Sequence, residues 1–463
     1  MTTDPSKIQN PKSKIVSVSQ PLGGVSPLEF LQQAQGQPRF YWNDHDPITF
    51  AGMGVAAELF AWGPHRFEQI QAQARELFAG AVVDVNGGTA VEPLAVPRLF
   101  GGFAFRDDFM PDNTWANFHP AHFVLPHYQL LAHGREAWLT INAQIPAEED
   151  PAELIPALRE ALAAKAEELQ EKGQGTRDKG HSALRTQPSA LSYPMSEAQW
   201  AELIGQATAA IRTGQFQKVV LSRLAELRLE KPVDVVQALA YLDAQYPECY
   251  RFLFEPRPHH AFYGATPELL TRVVGTAVET MGMAGSARRG NTPGEDKGLA
   301  MDLMSSVKDR HEHQLVVESI QRRLAPLTTA LDVPARPKIY TLSNIHHLYT
   351  PIQGTLAEAS GVLPVVAALH PTPALGGTPR EAAMQFIQAA EPVSRGWYAA
   401  PVGWIDHQLD GVFGVAIRSA VAQENKVWAY AGAGIVAQSV AEQEWQETQV
   451  KFRPMFNALG VGG

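Results

Sequence analysis

With 463 residues, 45% of them hydrophobic and 19% charged, the chain has the composition of a globular protein with room for more than one domain. A formal net charge of -10 argues against a general nucleic-acid binder, which would carry a basic face, but leaves room for a small anionic substrate held by a local cluster. Cys249 is the single cysteine, no apolar run reaches the ~18 residues of a membrane span, and the polar N-terminus lacks a secretory core, so a cytoplasmic protein is expected.

Residues 1–22 read as a loose tail. A short helix is expected over 27–35, strands over 39–42 and 48–52, and then a helix carrying Phe67, Ile70, Ala74 and Leu77 at helical spacing. Aromatic or β-branched runs over 99–105, 121–131 and 137–142, separated by turn residues, predict three strands. An amphipathic helix over 152–173 runs into a linker-like stretch, 174–187, that has no periodicity. Ser196 and Gln199 form a capping-box signature, which opens a helix ending near Gly214. Strands follow over 217–223, 250–254, 262–263, 269–274, 350–354, 411–422 and 427–431. Helices are expected over 234–245, 298–324, 361–369, 379–390 and 442–459. This irregular interleaving favours a mixed α/β fold over a regular parallel array. The restart near Ser196 divides the chain into an N-terminal region, 1–190, and a second region, 191–463.

Several residues stand out chemically. Gly285 to Gly290 reads as a Gly-rich, doubly basic loop able to aim main-chain N–H groups at an anion. In the helix predicted after it, Glu312 falls between Leu315 and Val316 on the apolar stripe, so its carboxylate points inward. Such a group needs a basic partner or a metal, and the helix alone leaves both open. Lys218 shares a strand face with Val220 and Ser222, which makes it either an edge lysine reaching water or a partly buried base. Glu268 follows a strand and a Pro-fixed turn, as a turn carboxylate or a rigidly held general acid. On the last helix, Glu444, Glu447 and Lys451 share one face, either as a solvated ion-pair surface or as carboxylates for a hard cation. Arg418 is a candidate carboxylate fork, and Ala431 to Gly434 could offer main-chain donors. The spacing around Gly285 and Gly290 is not that of a P-loop, and His311-Glu312 is not a zincin helix.

Seven motifs in order, KVVLSR (218–223), FYGATPELL (262–270), MAGSARRG (283–290), KDRHEHQLV (308–316), HPTPALGG (370–377), AGAGIV (431–436) and EWQETQVK (444–451), resemble the chorismate-utilising enzymes. That family includes isochorismate, salicylate, anthranilate and aminodeoxychorismate synthases. Lys218 stands where aminating anthranilate synthases carry Gln, and MAGSARRG and HPTPALGG are closer to the isochorismate synthases. RFYW, FGGFAF and HFVLP in the first region resemble the longer, menaquinone-pathway members more than the siderophore type. The resemblance implies an α+β fold with a large, mostly antiparallel β-sandwich and helices packed outside. It implies that Lys218 activates water and Glu268 protonates the departing hydroxyl. Glu312 and Glu447 would hold Mg²⁺, with Glu444 close by. Arg418, Lys451 and the main chain at Gly285 and Gly432 would grip the carboxylates of chorismate, and Ser286, His347, Ala374, Leu375 and Tyr398 would complete the site. No glutaminase, nucleic-acid or membrane partner is expected. A salicylate synthase or an aminating member is the competing expectation.

Overall fold

The computed structural model describes residues 13–44, 48–85, 95–134, 136–174 and 188–461. Among them, two large sheets face each other. The larger has thirteen strands and runs, edge to edge, through 188–192, 218–229, 426–435, 419–423, 260–266, 250–257, 39–43, 48–53, 128–133, 136–146, 13–21 and 82–85, with 377–378 added beside 218–229. The smaller has ten strands and runs through 328–332, 345–356, 277–288, 269–274, 411–415, 401–406, 98–103, 121–125 and 57–61, with 338–341 added beside 345–356. The pairings are antiparallel except that of Ser13–Pro21 with Val82–Val85. Both sheets take strands from before and after residue 190.

Strand alternation explains the layers. Phe40, Trp42, Phe252, Phe254 and Phe262 point into the core between the sheets, where they meet Phe100, Phe103 and Phe413. Their neighbours Tyr41, Leu253 and Tyr263 point the other way, into a second core with Leu31, Leu162, Leu239 and Phe452 from helices outside the larger sheet. Two-sided burial is why these strands read as continuous aromatic runs. The fold is the expected α+β sandwich with helices outside. Among the described residues no helix is long and apolar enough to cross a membrane.

Four expectations are corrected. Ser13–Pro21 is not a tail; its Val16 and Val18 are fully buried, and it pairs along Glu136–Pro146. The run over 121–131 is two strands in different sheets, parted at Pro126, which has no N–H to continue a ladder. The run over 411–422 likewise splits into Gly411–Val415 and Ser419–Gln423, with Arg418 between them at φ 50°. The helix expected over 298–324 is two, Pro293–Ser305 and Val307–Leu324, because Ser306 turns to an extended conformation and its side chain accepts the Asp309 N–H. Val307, at the start of the second helix, is therefore 84% exposed. The linker expectation falls on 175–187 and the first twelve residues of the tail on 1–12, both outside the described residues.

Candidate active site

The chain changes sheets at two places that lie side by side. It leaves the larger sheet at Thr266 and joins the smaller at Leu269, with Glu268 in the crossing. It returns from Val415 to Ser419 with Arg418 in the crossing. Gly264 pairs with Ser419, Ala265 N–H donates to Arg418 O at 3.1 Å, and Val415 N–H donates to Glu268 O at 3.0 Å. Sandwich corners of this kind lift side chains out of the sheet pleat. Arg418 is held there in left-handed backbone, a strained conformation for a non-glycine residue and one that clusters at functional sites.

These crossings open onto a cavity. It is lined by every residue to which the family resemblance gives a role: Lys218, Glu268, Gly285, Ser286, Glu312, His347, Ala374, Leu375, Tyr398, Arg418, Gly432, Glu444, Glu447 and Lys451. Val220, Lys308, Asp309 and Tyr430 also line it and were not anticipated there. Lys308 and Asp309 had a signal, since they lie four and three residues before Glu312 and so share its side of the helix.

Lys218 opens the strand Lys218–Leu229 and is 1% exposed, so it does not reach water at an edge. Its Nζ lies 2.8 Å from Glu312 Oε1. Burial alone would raise the Glu312 carboxyl, but Lys218 by charge and hydrogen bond, with Lys308 and Lys451 beyond, brings it below the ordinary value. Gly434 makes room for this pair: a Cβ there would come within 2.5 Å of Glu312 Oε1 and 3.1 Å of Lys218 Cε. Glu268 is 4% exposed, and burial pushes its carboxyl up to about 8, against the opposing pull of Lys218 and Lys451. It therefore keeps its proton at neutral pH.

The basic loop expected at Gly285 is strand as far as Arg288. Gly285 sits at a bulge with φ 79°, and Ser286 faces His347 across the ladder. A Cβ at Gly285 would press to 3.1 Å on Asp309 Cβ. Arg288 and Arg289 turn away, to Glu295 and Asp296 in the first turn of the next helix. Burial, then the charges of Arg418 and Lys451, hold the His347 imidazole well below its ordinary value. The neutral ring fits one tautomer, with Nδ1–H donating to Gly285 O at 3.2 Å and Nε2 accepting from Arg418 Nη2 at 3.2 Å. Among the described residues no carboxylate lies within ion-pair distance of Arg418, which is 4% exposed. Tyr398 stacks on Tyr430 at 5.2 Å, and burial raises its phenol.

Ala441–Ala458 presents Glu444, Glu447 and Lys451 to the cavity. The Glu447–Lys451 pair closes at 2.6 Å, and Lys451 also donates to Gly432 O at 2.9 Å. Lys308 lies 3.3 Å from Glu444. Burial, and then the negative charge of Glu447, push the Glu444 carboxyl up to about 7. Three carboxylates are thus each matched with one lysine. Among the described residues, no group of three or more His, Cys, Asp or Glu is arranged to hold a metal ion. A hard cation that keeps most of its waters asks for only one or two carboxylates, and the oxygen donors and crowded acidic charge here suit one.

A cavity at the corners of an antiparallel sandwich, with a protonated carboxyl, buried lysines and an arginine free of carboxylate partners among the described residues in its wall, has the make-up of an enzyme site. A family model described as chorismate binding enzyme matches residues 4–460, and the chain belongs to that family. It is 34% identical over 445 residues to the salicylate biosynthesis isochorismate synthase of Pseudomonas aeruginosa, covering 95% of this chain and 90% of that one. It is 32% identical over 453 residues to the isochorismate synthase MenF of Bacillus subtilis, covering 96% and 93%. Among solved structures, the menaquinone-specific isochorismate synthase MenF of Escherichia coli superposes with a TM-score of 0.78 at 27% identity, covering 98% of this chain and 96% of that one.

Proposed function

We propose that this protein is an isochorismate synthase, an isomerase that moves the hydroxyl of chorismate from C4 to C2. The observation that carries the proposal is Glu268, its carboxyl pushed up to about 8 in the cavity that also holds Lys218. A carboxyl that keeps its proton at neutral pH can serve as the general acid, and an amine in the same cavity can serve as the base. In the proposed step Lys218 Nζ takes a proton from water as the water oxygen bonds to C2. Both ring double bonds shift, C1=C2 to C1=C6 and C5=C6 to C4=C5, the C4–O bond breaks, and Glu268 gives its proton to the departing hydroxyl. One water enters and one leaves, and the proton gained by Lys218 returns to Glu268 through solvent.

Arg418, oriented by neutral His347 and free of any carboxylate partner among the described residues, is the fork for one substrate carboxylate. Lys451 and the main chain at Gly285 and Gly432 serve the other, while Ser286, Ala374, Leu375 and Tyr398 shape the wall. Glu312 and Glu447 would hold Mg²⁺, with Glu444 through water, and the bound ion would neutralise the ring carboxylate.

The names of the full-length relatives support this reaction over amination or salicylate release. Purified protein given chorismate and Mg²⁺ is expected to form isochorismate, and to lose turnover in a chelator. Fluorescent salicylate would make it a salicylate synthase; anthranilate or aminodeoxychorismate formed from ammonium would make it an aminating enzyme. We further propose that the product serves menaquinone synthesis, which the Bacillus and Escherichia relatives support by name and the Pseudomonas relative does not. Unchanged menaquinone in a deletion strain would overturn that role.

A further inference from the structure

The strand that begins with Lys218 has an incomplete edge. On one side it pairs with Lys426–Ile435 from Val219 to Arg228. On the other, Gly377–Thr378 covers Lys218 and Val219, and Pro188–Ser192 covers Glu226 to Leu229. Val220 N–H still donates to Gly376 O at 2.9 Å, and beyond it the Val220 carbonyl and the Ser222 N–H meet side chains. Ser222 N–H donates to Glu391 Oε1 at 2.7 Å, and Arg395 Nη2 donates to Val220 O at 2.7 Å. Arg395 Nη1 donates to Leu375 O at 2.9 Å, and Nε to Glu391 Oε2 at 2.8 Å. The Arg395 carbonyl accepts the Tyr398 N–H at 2.8 Å. The two side chains are 3% and 5% exposed, and the guanidinium lies 4.2 Å from the centre of the Phe105 ring.

Arg395 and Glu391 do not line the reaction cavity, but Val220 and Leu375, the residues they tie together, do. A buried ion pair is weak ground for stability, since its desolvation offsets most of its attraction, whereas its directional bonds fix geometry. We infer that the Arg395 side chain, braced by Glu391, is a positioning group: it substitutes for a missing strand and holds the Val220 and Leu375 wall in register with Lys218. This rests on the reaction proposed above. Because Arg418 and Lys451 make no bond to this anchor, its loss acts on turnover more than on substrate affinity.

The test is Arg395→Ala, with Glu391→Gln as the gentler second variant should the first fail to fold. In a folded variant, kcat on chorismate is expected to fall about 100-fold, with KM moving less than about threefold, because a displacement near 1 Å costs rates of that order. An open cleft separate from the reaction cavity is lined by Phe105, Glu391 and Arg395 among others. Guanidinium chloride at sub-denaturing concentration should therefore restore turnover to Arg395→Ala, where sodium chloride at equal ionic strength does not. A kcat within about threefold of the parent, or a loss that guanidinium leaves unchanged, overturns the inference. Amide exchange without substrate separates it from the reaction. Faster exchange over 218–224 and 372–377 in the variant supports the anchor whatever the parent does to chorismate, and unchanged exchange there sinks it.

Discussion

At Glu268, burial at a sheet crossing outweighs the attraction of Lys218 and Lys451, and the carboxyl titrates at about 8 rather than near 4.5. As the proton donor it must be protonated, so kcat/KM is expected to fall as pH rises through about 8. Glu268→Gln should lower kcat by about 100-fold or more, the range of general acid catalysis. The folded state binds this proton more tightly than the unfolded chain does. The associated stability is complete below about 4.5 and lost as pH rises through about 8. Calorimetry should therefore find Glu268→Gln gaining in Tm on the parent across that window; a difference that stays flat with pH means the carboxyl is not perturbed. Arg418 can be tested on affinity. Arg418→Lys keeps the charge and loses the fork, so KM for chorismate should rise about 10- to 100-fold, the worth of charge-assisted hydrogen bonds. An unchanged KM would remove Arg418 from the binding of substrate.

The strand Lys426–Ile435 runs beside the strand of Lys218, and at Gly434 it leaves just enough room for the Lys218–Glu312 pair. Gly434→Ala should displace that pair and lower kcat at least about tenfold, and Tm should fall with it, because the Cβ meets Glu312 Oε1 at 2.5 Å and the displaced pair is buried. Kinetics and a melt on one sample check both halves. Elements with a local signal were legible: the Ser196 capping box opens its helix as expected, and Asp234 caps the next. The break at Ser306 was not, although Ser306 and Asp309 carry a cap spacing, because the apolar period through Leu299, Leu303 and Val307 continues across it. The runs over 121–131 and 411–422 misled for a related reason. Both halves of each run are buried, and composition does not record that a chain has moved from one buried sheet to another.

Across the whole molecule, the strands before residue 190 are inserted into both sheets, and Arg39 shows how firmly. It lies on Arg39–Asn43, beside Tyr250–Arg257, and pairs there with Glu255, which is 1% exposed. Removing one partner strands a buried charge, so Arg39→Met should cost about 3–5 kcal/mol in urea unfolding. A loss below about 1 kcal/mol would show that water reaches Glu255. The residue types able to carry the chemistry were determined by the sequence alone, as were most helices and strands, since period, caps and motif order are local properties. Tertiary structure alone decided that Glu268 and Arg418 meet at neighbouring sheet crossings, that Glu312 finds Lys218, and that Arg395 completes an open strand edge. Those outcomes join positions 94 to 175 residues apart in the chain, and no periodicity encodes which distant partner will satisfy a buried charge.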